Sequence, residues 1–217
     1  MRLVVVPVGL LVLLAFVPKL TVDIPYVFAE SIDAPGTLQL LALCLVFGGL
    51  ALTYDLIFGF TGLLSFGHAL YFAVGVYVEC IALTKWHWGF IPSLAFTALI
   101  GILLPLVLGA VSLRVGGIAF AMVTLAFAQA GSILVFKNPH KWTGGEEGIG
   151  TDYTKLPAAL VGIFNTKNLY WVALAYAAAV FAVVQWAVSS SPGHIWKAIR
   201  ENELRVEVLG LRPYAYK

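Results

Sequence analysis

The chain has 217 residues, 61% hydrophobic and 11% charged, with a net charge of +2 and a mean hydropathy of +0.94. Soluble domains carry about 25% charged residues, so this composition excludes one and identifies an integral membrane protein. A net charge this small gives no argument for a nucleic-acid partner. Cys44 and Cys80 lie in apolar stretches without metal-ligand spacing and read as small buried hydrophobes rather than a disulfide.

Six apolar segments follow in order, at about Leu3–Val17, Leu38–Ile57, Leu63–Leu83, Phe90–Leu113, Gly117–Phe136 and Leu169–Val188. The first has the basic start and apolar core of a signal peptide, but no A-x-A-like site follows, so it reads as an uncleaved span. It is short against the roughly 20 residues a helix needs to cross the hydrocarbon core; the other five are adequate. The connections are Pro18–Thr37, Phe58–Gly62, Thr84–Gly89, Arg114–Gly116 and Lys137–Asn168, then a polar tail. With the N-terminus inside, the inner side holds Arg2, Arg114 and five tail residues. The outer side holds Lys19, Lys85, Lys137, Lys141, Lys155 and Lys167, together with Asp23, Glu30, Asp33, Glu146, Glu147 and Asp152. Seven cations against six give no orientation by the positive-inside rule.

Residues 58–77 read FGFTGLLSFGHALYFAVGVY, with Gly59, Gly62, Gly67 and Gly75. Small residues let membrane helices approach closely, and glycines also permit broken or re-entrant helices that line a cavity. Asp55, His68 and Glu79 sit in or beside this region. An ionisable group at membrane depth is a candidate for substrate or proton handling. Against that, Asp55 can face the interface at the end of its span, and His68 can be satisfied by a neighbouring carbonyl. In LRVGGIAFAMVTLAFAQ, residues 113–129, Thr124 and Gln129 are expected to hydrogen-bond between helices.

The longest loop contains TGGEEGIG, residues 143–150. It lacks the Lys and Ser/Thr of a nucleotide-binding loop, its paired acids disfavour anions, and it reads as a tight turn. Trp86, Trp88, Trp142, Trp171 and Trp186 fall near span ends, as interfacial aromatics do. His68, His87, His140 and His194 lie in different segments without a ligand pair, and Ser65 lies in SFG rather than G-x-S-x-G. No metal site and no catalytic residue are expected.

The tail, SSSPGHIWKAIRENELRVEVLGLRPYAYK, is the one long segment dense in charge. It holds Lys197, Arg200, Arg205, Arg212 and Lys217 with Glu201, Glu203 and Glu207. Ser-Pro-Gly is a turn and helix start. Ile195, Ile199, Val206 and Leu209 then recur at roughly helical spacing, and Gly210 and Pro213 mark the stop. A short amphipathic helix of this kind is a surface-lying segment or a handle for a soluble partner.

Three stretches, GFTGLLSFGHALYFAVGVY, RVGGIAFAMVTLAFAQ with TGGEEGIG beyond it, and KAIRENELRVEVLGL, resemble the LivM-like permease subunits of branched-chain amino-acid ABC importers. Their order and spacing match too, over about residues 38–217. The resemblance implies an all-α polytopic transmembrane bundle of about six spans in the cell inner membrane. Residues 189–217 would be a cytoplasmic coupling segment. The partners it implies are two cytoplasmic ABC ATPase subunits, a second homologous permease subunit and a periplasmic amino-acid-binding protein facing the TGGEEGIG loop. ATP and Mg would be bound on the partner subunits, since no Walker motif occurs here, and no cofactor on this chain.

The resemblance assigns ATPase coupling to Lys197, Ala198, Ile199, Arg200, Glu201, Asn202 and Gly210. The substrate path is expected at Gly62, Ser65, Gly67, His68 and Thr124. The chain departs from its relatives at Arg205 and Val206, where they carry alanines, and at His194, where Arg is common. Relatives continue past the coupling segment with further spans, so residues 1–217 read as a permease domain incomplete at its C-terminus. The expected function is import of leucine, isoleucine and valine. The alternatives are a permease for urea or another small solute of the same family, and an ion-coupled carrier using Asp55, His68 or Glu79.

Overall fold

The computed structural model describes residues 2–19, 34–162, 165–211 and 213–216, and contains helices and turns with no strand among them. Most of the expected Pro18–Thr37 connection, with Asp23, Glu30 and Asp33, lies outside the described residues, as do Arg212 and Lys217. Each of the six apolar segments forms a helix: α1 (Arg2–Phe16), α2 (Pro35–Asp55), α3 (His68–Thr84), α4 (Phe90–Ser112), α5 (Gly117–Lys137) and α6 (Thr166–Ser189). The polar tail forms α7 (Ser191–Glu201), α8 (Glu203–Val208) and α9 (Pro213–Tyr216).

Among the described residues four helices are long and apolar enough to cross a membrane: Pro35–Phe60, which is α2 with its continuation, then α4, α5 and α6. The expectation of about six spans is met in helices but not in length. α3 has 17 residues and α1 has 15, or about 25 and 22 Å at about 1.5 Å per residue. The expected span Leu63–Leu83 starts five residues late because residues 62–65 are not helical.

The chain divides into two compact units, residues 1–53 with 157–186, and residues 54–156 with 187–217. In the first, Val17, Leu38, Ala42, Tyr170, Ala173 and Leu174 form the core. Tyr170 on α6 is fully buried, and its hydroxyl donates to the Leu14 carbonyl of α1 at 2.7 Å. Gly49 of α2 lies against Tyr176 of α6, where an added Cβ would stand 2.6 Å from the ring. The two helices meet here because one contributes no side chain. Cys44, expected to be buried, is exposed on α2, and both cysteines are free thiols. A thiol that behaves as a small hydrophobe fits the outer face of a membrane helix as well as a core.

In the second unit α3 and α4 are joined by a carboxylate. Glu79 accepts from the hydroxyls of Ser93 and Thr97, one helical turn apart on α4, each at 2.7 Å. At the far end of α5, Asn138 takes the left-handed cap position, and its side-chain oxygen accepts from Thr143 N, Thr143 Oγ1 and Gly144 N at 3.0–3.2 Å. These bonds organise TGGEEGIG as the tight turn expected, with Gly144, Gly145 and Gly148 at positive φ. Beyond it, Asp152 accepts from Thr154 Oγ1 and N. Those bonds, then the charges of Lys155 and His87, hold its carboxyl below the usual range.

Tyr170→Phe is expected to cost about 0.5–1.5 kcal/mol, the net value of one intramolecular hydrogen bond. Gly49→Leu is expected to cost more, about 1–3 kcal/mol, by overpacking against Tyr176. Denaturant unfolding of the detergent-solubilised protein would rank the two.

Candidate functional site

The site is built where α2 ends. After Asp55 the helix widens into a π-turn, Leu56–Phe60, then gives way to an extended stretch, and α3 begins only at His68. Its glycine-rich composition favours a break, and the break needs partners for the backbone groups it frees. Several such partners are present. Gly62 N and Leu63 N donate to the Phe58 and Ile57 carbonyls, each at 3.2 Å. Thr61 Oγ1 also donates to the Ile57 carbonyl. Phe66 N donates 3.2 Å to Thr124 Oγ1 on α5, and the Arg200 guanidinium of α7 donates to the Gly59 carbonyl.

Glycine is required twice in this stretch. Gly62 has φ +74, and a Cβ there would lie 3.0 Å from Arg200 Cγ. A Cβ on Gly67 would lie 2.8 Å from the Thr124 carbonyl oxygen. The break is thus pressed between α5 on one side and α7 on the other.

A cavity of about 230 Å³ adjoins the break. Leu56, Ile57, Thr61, Leu63 and Ser65 line it from the break itself, and Tyr71 from α3. Pro105, Gly109 and Ser112 contribute from α4, Phe120 and Thr124 from α5, and Trp196 from α7. Pro105 lies inside α4 and removes one rung of its hydrogen-bond ladder at the cavity wall. No lining residue carries a formal charge. Three of the hydroxyls spend their hydrogens on their own helices: Thr61 on Ile57, Ser112 on Leu108 at 2.8 Å, and Thr124 on Ala121 at 2.9 Å.

Of the residues expected on a substrate path, Ser65 and Thr124 line this cavity; Gly62, Gly67 and His68 do not. Gly62 and Gly67 set the close approaches just described. His68 opens α3 with its ring edge-on to Tyr54, centroids 5.6 Å apart. Asp55 is exposed, and Glu79 is held by Ser93 and Thr97, so none of the three ionisable candidates faces the cavity. Thr124 does bond between segments, to Phe66 N, while Gln129 is exposed. Trp196 was not foreseen as a lining residue; its signal is that it lies one turn before Arg200.

The tail differs from the single helix expected over 195–209. Asn202 adopts an extended conformation, and its side chain accepts from Arg205 N at 3.1 Å, ending α7 and capping α8. Asn is among the residues that favour this role over a helix interior. Ile199 and Val206 are buried as expected, but Leu209 is 77% exposed. Gly210, at φ +82, closes α8, with its N–H on the Glu207 carbonyl and Leu211 N–H on the Val206 carbonyl. This paired pattern is a Schellman stop. Lys197 Nζ stands 5.5 Å over the Phe60 ring, Ala198 O accepts from Asn202 N, and Glu201 is exposed.

Long apolar helices define a polytopic α-helical membrane protein. The sequence pattern of the family described as branched-chain amino acid transport system / permease component matches residues 36–217, and the chain belongs to that family. It is 27% identical over 204 residues to the high-affinity branched-chain amino acid transport system permease protein LivM of Escherichia coli (strain K12), covering 84% of this chain and 48% of that protein. The permease protein of the same description from Salmonella typhimurium is 26% identical with the same coverage. The chain therefore spans about half the length of the curated relatives it matches. No solved structure matches it.

Thr124→Val is expected to destabilise the protein by about 1–3 kcal/mol, since it leaves the Phe66 N–H without its partner. Thr124→Ser, which keeps the oxygen, should stay close to wild type. Unfolding midpoints of the two variants test the assignment.

Proposed function

We propose that this chain is a membrane-spanning permease subunit of an ATP-driven ABC importer for leucine, isoleucine and valine. The observation that carries the reading is the broken span around an uncharged cavity in a chain of the permease family. The substrate class is that of the relatives, which are permeases of branched-chain amino acid transport. A cavity without fixed charge suits a solute that is neutral overall, and it leaves selection among such solutes to a periplasmic binding protein.

In this reading residues 189–217 lie in the cytoplasm of an inner-membrane protein. Two ATPase subunits hold the ATP and Mg, and a second homologous permease completes the path. The coupling role falls on α7 and α8. Lys197 and Arg200 point at their own chain, so the partner surface is carried by α8. Leu204 and Val208 share one face of that helix and are 72% and 88% exposed. That face is the surface for a groove on the ATPase. An ion-coupled carrier is disfavoured because Asp55, His68 and Glu79 all lie off the cavity.

Affinity purification from the native membrane is expected to recover two ATPases and a second permease. Val208→Asp and Gly210→Pro are expected to cut ATPase recovery at least tenfold with membrane insertion unchanged; Pro at 210 removes the N–H that closes α8 and is incompatible with positive φ. In proteoliposomes, leucine uptake should require ATP and persist in Asp55→Asn and Glu79→Gln. Uptake that survives without ATPase and collapses with the proton or sodium gradient would establish the carrier instead.

A further inference from the structure

α7 presents Trp196 and Arg200, four residues apart and so on one face, to the broken span. Arg200 donates to the Gly59 carbonyl, one of the C=O groups that a helix end leaves without an intrahelical partner. The neighbouring Lys197 places its ammonium over the ring of the very next residue, Phe60. Both cations of α7 therefore act on consecutive residues of the π-turn. Trp196 lines the cavity beside Leu56 and Ile57 of that turn and Thr61 and Leu63 just after it. Its indole N–H donates 2.5 Å to the Tyr216 carbonyl of α9, and the Tyr214 hydroxyl of α9 donates 3.2 Å to the Ala110 carbonyl of α4. The indole is thus pinned from behind.

We infer that α7 is a latch on the broken span: Trp196 closes the adjoining end of the cavity, and Arg200 is the positioning residue that holds the 56–60 turn against it. A displacement of α7 must either drag that turn along or release both cation contacts, and either event reshapes the cavity wall. Gly62 permits the latch to seat, because any side chain there meets Arg200. The inference rests on the permease reading for its purpose, since a latch serves a path that opens. Its geometry is independent of which solute passes. Arg200 acts within its own chain here, through the turn, and not by touching the solute.

The same close approach supplies the test. A Cβ on residue 62 would lie 3.5 Å from Arg200 Cβ, at the edge of the range a disulfide spans, about 3.5–4.5 Å. The Gly62→Cys/Arg200→Cys variant, reconstituted with its partner subunits, is expected to cross-link on oxidation and to take up solute at least tenfold more slowly oxidised than reduced, with the reduced form itself below wild type because it lacks Arg200. The single-cysteine variants should not respond to oxidant. As a second measurement, liposomes bearing the complex without ATP should leak a small neutral solute several-fold faster with Trp196→Ala or Arg200→Gln, and at the wild-type rate with Trp196→Phe. Failure of the assembled double variant to cross-link, undiminished uptake by the cross-linked complex, or a Trp196→Ala complex as tight as wild type would each overturn the latch. Absence of ATP-driven uptake by the wild-type complex would overturn the importer reading alone. The leak assay needs no ATP and still judges the latch.

Discussion

The structure depends most on how the backbone between Leu56 and Gly67 finds hydrogen-bond partners. In a hydrocarbon environment an unpaired peptide group costs several kcal/mol, so a chain that abandons the α-helical ladder at membrane depth must find a replacement for each rung. Here the π-turn reuses Ile57 and Phe58, Thr124 takes the Phe66 N–H, and Arg200 takes the Gly59 carbonyl. Two parts of the chain far away in sequence are committed to one short stretch. The positions of α5 and α7 and the shape of the cavity follow from that commitment.

Close approach does elsewhere what hydrogen bonding does at the break. Apolar side chains have little to gain from one another when lipid is the alternative, so helices pair where small residues bring backbones near or where a polar contact spans the gap. The first unit shows the former at Gly49 and Tyr176; the second shows the latter at Glu79, Ser93 and Thr97. Glu79 is instructive because a carboxylate inside an apolar helix invites a reading in terms of transported protons. Its two hydroxyl partners on the next helix give it a structural occupation instead.

Much of this was legible in the sequence. Hydropathy alone located all six apolar helices, and the glycines between 58 and 77 announced a discontinuity of the kind found. The amphipathic tail and its Gly210 stop were also readable, since caps and breakers act over a few residues. What escaped were features set by tertiary contact. The late start of α3 depends on where the broken backbone finds donors and acceptors. The division of the tail at Asn202 depends on a cap winning over helix continuation. The inward turn of Lys197 and Arg200 reverses what their charge suggests. A basic residue in a polar tail reads as a surface group, and only the position of Gly59 reveals its acceptor. Trp196 was hidden for a related reason: the other walls of its cavity and its hydrogen-bond partner in α9 come from elsewhere in the chain.

The cavity lining has a chemical sense that its lack of charge conceals. Thr61, Ser112 and Thr124 have already given their hydrogens to carbonyls one turn back, so what remains on these oxygens is lone pairs. To a guest, these three positions are acceptors, and one of Thr124's lone pairs is already occupied by Phe66 N–H. A molecule that brings N–H or O–H groups finds complementary sites at these three positions. A set of neutral hydroxyls thereby acquires a direction, fixed by the helices that carry it.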